Sequence, residues 1–336
     1  MKKKLLIFTV LMTMAFAVAC ADEGDYYDGF LSEKEEAIEE GDSIPAGGQY
    51  TRKNTGKIYT EGQKMPKTAE NGDVYSYGDY VYTMKTDGWG VTLNSNVDKT
   101  EDSFEDMLEL IAEYPIVDLA DLYKGCTNMT ASPKIPSTVK VMTNTFYECA
   151  ALATAPELPA GVEDIQYTFY GCTSLTKAPV IPDGVKLLKY TFHGCVNLTE
   201  VPELPSSITN MAYTFCGCTS LSQPPKTPEK LITMGHTYEG CVKIVNAPEI
   251  PETVTDLEAT FKNCTGLKTA TPIPEKVKFF IETFYGCTSL TGTVVINTNT
   301  TYRTNCFTLV NFKQQGIEVT GSSNAIDKFM ESGILE

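Results

Sequence analysis

Histidine is scarce in this chain: His193 and His236 are the only two in 336 residues. So few exclude a His-rich metal site and leave a His-based proton relay almost no choice of position. Positive charge is short as well. Lys and Arg number 27 against 43 Asp and Glu, a net charge of -16, and such a surface repels nucleic acid and anionic lipid. No metal or cofactor is expected, because Cys216 and Cys218 form Cys-x-Cys with no second pair at zinc spacing. A nucleophile and its base would need a fixed local constellation, and none is visible. No catalytic residue is therefore assigned, and the chain does not read as an enzyme.

What is present begins with an address. Lys2, Lys3 and Lys4 precede an apolar run at 5–18 and small residues ending at Cys20, the zones of a secretory signal too short to span a membrane. Ala17-Val18-Ala19-Cys20 resembles the bacterial lipobox, with ordinary Ala-x-Ala-like cleavage as the alternative. The resemblance implies a lipoprotein signal peptide at 1–19 and lipidation of Cys20. Residues 20–42 read as an acidic tether, with ten acidic residues against the single Lys34, whose like charges favour an extended chain. Asp22 and Glu23 directly after the Cys resemble the surface-export signal of Bacteroidetes lipoproteins. The expected location is an exported, lipid-anchored protein at the cell surface, in the outer membrane if the cell has two, touching the membrane only through its anchor.

The body of the chain is periodic. Cys126, Cys149, Cys172, Cys195, Cys218, Cys241, Cys264 and Cys287 stand 23 residues apart. An aromatic lies three residues before each, from Tyr123 and Phe146 to Phe284, and an aliphatic or Met three after, from Met129 to Leu290. Two further apolar columns run from Val139 to Val277 and from Met142 to Phe280. A unit this short cannot bury its apolar side alone, so the columns must stack between neighbours into one continuous core. The fold class is a repeat solenoid in which each 23-residue unit forms one coil.

Pro136, Pro159, Pro182, Pro205, Pro228, Pro251 and Pro274 recur ten residues after the first seven of these cysteines. Proline offers no N–H to a ladder, so that limb should be poor in sheet bonds and strand pairing should fall in segments such as 185–189. Val185, Leu188 and Phe192 also fit a helical spacing.

Units such as Thr191-Phe192-His193-Gly194-Cys195-Val196-Asn197-Leu198 and Phe284-Tyr285-Gly286-Cys287-Thr288-Ser289-Leu290 resemble the BspA-type leucine-rich repeats of bacterial surface proteins. The resemblance covers 116–306 and departs from the family in two ways. Pro-x-Ile/Leu-Pro replaces the usual Ile-x-Ile-Pro, and Thr rather than Ala precedes each aromatic from Thr145 to Thr283. It implies a leucine-rich-repeat-like right-handed coil of short parallel strands and turns, implies adhesion to host or neighbouring-cell proteins, and brings no catalytic motif.

The flanks differ. Residues 43–97 read as a small β element, with Tyr75, Tyr77, Tyr80 and Tyr82 mostly alternating and Asp87-Gly88 ahead of Trp89 as a hairpin signal. Within 98–115, Phe104, Met107, Leu108 and Ile111 share a helical face, fitting an N-terminal capping helix. The solenoid is bounded at 116–306. A C-terminal cap follows at 307–336, with Ser323 able to start a helix carrying Ile326, Phe329 and Met330.

The cysteine ladder reads as buried free thiols acting as small hydrophobes. Cys306 arrives nineteen residues after Cys287 and interrupts the period, so a Cys287–Cys306 bridge is a further possibility. Eighteen residues after each Cys stand Asn144, Tyr167, Tyr190, Tyr213 and His236, then Ala259 and Glu282. Tolerance of Glu282 argues that this position faces water, which would place Tyr167, Tyr190, Tyr213 and His236 side by side as a ligand-binding stripe. The alternative is a ladder that only shields the apolar columns. Glu157, Glu203 and Glu249 read as solvated. The functional expectation is a non-catalytic recognition or adhesion module for a host or neighbouring-cell protein or a glycan. A structural spacer, or a glycan-capture lipoprotein for nutrient uptake, is the alternative.

Overall fold

The computed structural model describes residues 48–51, 53, 58–60, 72, 74–77, 80–85, 88–93, 115–298, 306 and 316–321. The expected signal peptide, the tether, the helical face within 98–115 and the helix expected after Ser323 lie outside these residues. The chain divides into two units, and among the described residues the boundary in sequence falls between Asp118 and Leu119.

The first unit is a six-stranded sheet of β1 (Gly48–Thr51), β2 (Ile58–Thr60), β3 (Val74–Tyr77), β4 (Tyr80–Lys85), β5 (Gly88–Leu93) and β6 (Ile116–Asp118), in the order β2-β1-β3-β4-β5-β6. All its pairs are antiparallel except β5 with β6. On β4, Tyr80, Tyr82 and Met84 are buried and alternate with half-exposed Val81 and Thr83, as one-sided burial of a pleated strand requires. Trp89 meets Tyr82 edge to face at 6.4 Å. Assigning 116–118 to the solenoid needs correction. Ile116 and Val117 are apolar enough to join either core, and the chain pairs them as β6 beside β5, where Asp118 takes an ion pair with Lys85.

The second unit is the solenoid. Its coils alternate two kinds of backbone bond. In the coil around Phe192, the N–H groups of Leu188, Tyr190, Phe192 and Gly194 donate to the next coil, at Asn210, Ala212, Thr214 and Cys216. Those of Thr191, His193 and Cys195 donate back within the coil to Leu188, Tyr190 and Phe192. Every N–H from Tyr190 to Cys195 therefore finds an acceptor, as a buried backbone requires. The helical spacing of Val185, Leu188 and Phe192 reflects these successive i→i−3 turns, and no α-helix occurs among the described residues. Strand character in 185–189 shrinks to a single bridge, Leu187 with Asn210, repeated as Asn210 with Thr233 and Thr233 with Asp256.

This alternation needs left-handed residues at two places in each coil. One is the position before the Cys, held by glycine at Gly194 (φ 72°), where an added Cβ would come 3.8 Å from the Cα of Gly171 in the neighbouring coil. The other is the position of Tyr167, Tyr190 and Tyr213, at φ 57°, 58° and 58°.

Inside, the aromatic column stacks from Tyr123 to Phe284 with ring centroids 5.5–5.8 Å apart. The threonines before these rings turn inward rather than out. Each is fully buried, and its hydroxyl donates to a carbonyl 26 residues earlier, as Thr191 does to Ile165. The thiols do likewise, Cys195 donating to Phe169. All eight ladder cysteines are buried and unbridged, and burial pushes the thiol of Cys287 up to about 12.

Of the two alternatives for Cys287 and Cys306 the structure has the unbridged one, each thiol donating to a backbone carbonyl. Cys306 does not enter the cysteine column. It takes the threonine place, accepting from the Phe284 N–H and donating to the Phe280 carbonyl. Beyond the last full coil, β7 (Gly292–Ile296) bridges back to Ile273 and pairs in parallel with β8 (Ile317–Gly321), within the range expected as the cap.

Candidate functional site

Side chains leave the coil at the left-handed position and again three residues later, giving two parallel columns. In the first, Tyr167 stacks on Tyr190 at 4.6 Å, Tyr190 on Tyr213 at 4.4 Å and Tyr213 on His236 at 4.2 Å, with interplanar angles of 7–9°. The four residues expected as a stripe are thus brought together. In the second, Tyr147 stacks on Tyr170 and Tyr170 on His193, both at 4.5 Å. Tilted contacts join the columns, Tyr167 to Tyr170 at 6.3 Å and Tyr190 to His193 at 5.8 Å.

The second column was not assigned from sequence. Its signal was the slot two before each Cys, where His193 replaces the Tyr of Tyr147, Tyr170 and Tyr285. Cys216, Glu239 and Lys262 in that slot hide the pattern.

The expectation that the stripe stands free in water needs correction. All seven rings are half-buried, and Tyr170, Tyr190 and Tyr213 have both faces covered by stacked neighbours. Ala259 in the same column is buried. Glu282 is tolerated because it is paired, its carboxylate 2.7 Å from the ammonium of Lys262. Charges follow the rings at this end: Nδ1 of His236 lies 2.7 Å from Glu239, whose carboxylate is 4.0 Å from Lys262. Lys262 also stands 5.4 Å over the ring of Tyr285. At the other end Lys124 pairs with Asp121 at 3.4 Å and stands 5.1 Å over Tyr147.

Protonation follows from this packing. Burial first, then the neighbouring Tyr190, pushes the Tyr213 phenol up to about 12, and burial also raises Tyr147 and Tyr190. These hydroxyls stay neutral and able to donate. Burial lowers the His193 imidazole, and the hydrogen bond from His236 lowers Glu239. Burial, then Glu239, pushes the half-buried thiol of Cys216 up to about 12, away from nucleophilic use. Glu157, Glu203 and Glu249 are exposed. Among the described residues no three His, Cys, Asp or Glu side chains gather as a metal site.

Stacked 23-residue coils with apolar columns inside and one ring-bearing side define a leucine-rich-repeat solenoid. The family model described as "BspA type Leucine rich repeat region" matches residues 120–222 and 185–313, and the chain belongs to that family. Among solved structures, the chain is similar to a leucine-rich repeat protein of T. pallidum, 23% identical over 63% of this chain and 88% of that one, TM-score 0.41. It is also similar to one from Bacteroides ovatus ATCC 8483, 19% identical over 74% and 92%, TM-score 0.36. A third is a leucine rich cell surface protein from Faecalibacterium prausnitzii A2-165, 16% identical over 76% and 97%, TM-score 0.33. No curated protein matches the chain.

Proposed function

We propose that this protein is a lipid-anchored, cell-surface module that recognises a protein or glycan partner through its ring-bearing side, without catalysis. The observation that carries the reading is the placement of three tyrosines and a histidine at left-handed residues in consecutive coils. Gly or Asn meets that backbone requirement most easily, and Asn144 does so in one coil. A Tyr there costs roughly 1 kcal/mol or more in strain, and each stacked pair returns about 0.5–1.5 kcal/mol. Three stacked pairs return no more than about what four left-handed residues cost, so stacking by itself does not account for rings at these positions. What they add is a surface of neutral hydroxyls and ring edges repeating every 4.2–4.6 Å.

The anchor rests on Ala17-Val18-Ala19-Cys20 and the acidic stretch behind it. The test is a glycan and matrix-protein array probed with the protein and with the triple variant Tyr167→Ala, Tyr190→Ala, Tyr213→Ala. Recognition predicts ligands that the variant loses. A spacer predicts an array that does not respond to the change.

A further inference from the structure

We propose that the ring-bearing side pairs with a second copy of this chain, the two solenoids lying parallel and in register about a two-fold axis that runs along them. The inference rests on the recognition reading and names its partner.

Two observations carry it. The first is pitch. Because the inner rings are covered on both faces, a partner meets edges and hydroxyls that recur every 4.2–4.6 Å. One edge of an extended peptide repeats its polar groups about every 6.8 Å, and stacked strands repeat about every 4.8 Å. A lone peptide falls out of step within two coils, whereas another stack of coils stays in step. A second copy has the same pitch by construction.

The second is that the two columns complement each other coil by coil. A two-fold axis along the solenoid sets the first column of one copy against the second column of the other at the same coil. Asp121 then meets Lys124, and His236 meets Glu239, pairs that already attract within one chain at 3.4 Å and 2.7 Å. Tyr167 meets Tyr170, and Tyr190 meets His193, ring types that already lie against each other within one chain in tilted contacts at 6.3 Å and 5.8 Å. Where Lys262 is long, Ala259 opposite is small and buried. The antiparallel alternative sets Asp121 against Glu282, two carboxylates. A slip of one coil sets Asp121 against Tyr147 and removes its match to Lys124. Charge thus selects one direction and one register. Two anchored copies running the same way would pair on one membrane.

The experiment uses the full chain in density-matched detergent, read by sedimentation over a concentration series, with thermal melts as a folding control. The expected result is a reversible dimer. Asp121→Lys alone sets like charges face to face twice, as does Lys124→Asp alone, and each should weaken pairing at least tenfold, about 1.4 kcal/mol. An equimolar mixture of the two variants should restore it, because every Lys then meets an Asp. Failure of the mixture to recover overturns the proposal, as does a dimer indifferent to the triple tyrosine change. A monomeric chain with a tyrosine-dependent ligand on the array overturns self-pairing and leaves recognition standing. A monomeric chain with no ligand on the array removes both.

Discussion

The thiol of Cys306 donates to the backbone carbonyl of Phe280, 26 residues earlier, as the hydroxyl of Thr283 donates to Leu257. A cysteine that breaks the spacing of its own kind thus continues the threonine ladder. Cys306→Thr should keep the melting temperature within a degree or two of the parent. Cys306→Ala leaves a buried carbonyl without its side-chain donor and should cost about 1 kcal/mol. Thiol mapping by mass spectrometry without reductant should find Cys287 and Cys306 unlinked.

Phe192→Ala removes one ring from a column with neighbours at 5.6 and 5.8 Å on either side. The expected loss is about 3–5 kcal/mol, lost burial plus a cavity that stacked coils cannot close. Urea denaturation measures it. An unchanged midpoint would mean that the column does not form the core.

The triple change at Tyr167, Tyr190 and Tyr213 should behave in the opposite way. It removes stacking but no core ring, so cooperative melting should persist while partner binding falls at least tenfold, about 1.4 kcal/mol. Tyr190→Gly alone relieves a left-handed residue while removing one stacked ring. Its melting temperature should stay close to the parent, well above that of Phe192→Ala.

Acid should weaken the protein in two steps. Burial holds His193 below its ordinary 6.5, so the unfolded chain takes up that proton first. Its contribution is full above about pH 6.5 and fades as pH falls from there toward the folded value. The hydrogen bond from His236 holds Glu239 below its ordinary 4.5, so its contribution is present above that and lost as pH falls through the lower folded value. His193→Tyr, the residue in the same place at Tyr170, should remove the upper step alone. Urea midpoints across the acid range measure both.

Cys20→Ser should release the protein from the membrane fraction and abolish palmitate labelling. A variant that stays membrane-bound, beside a parent that takes up no label, would end the lipoprotein reading.

The columns were legible because each position of a 23-residue coil meets the same surroundings in every coil, so burial writes the same residue type repeatedly. Phe146, Val162, Leu175 and Cys195 are all fully buried for that reason. The direction of the threonines was not legible, since a hydroxyl suits water or a buried carbonyl equally well. Thr191 finds its acceptor at Ile165 only once the coils are stacked. The left-handed positions hide similarly, because Asn144, Tyr190, Ala259 and Glu282 share a backbone shape and no chemistry. The strand Ile116–Asp118 shows the limit at a boundary, where three residues cannot declare which core they join.

The side-chain ladders have a consequence for how such a chain can change in length. Each Thr and Cys donor reaches 26 residues back, one repeat plus three. An insertion or deletion of a whole repeat presents each donor with an equivalent acceptor, while any other length shifts all later donors off theirs. Within the stack, size is therefore quantised, and a gene encoding it can drift in copy number far more freely than in phase.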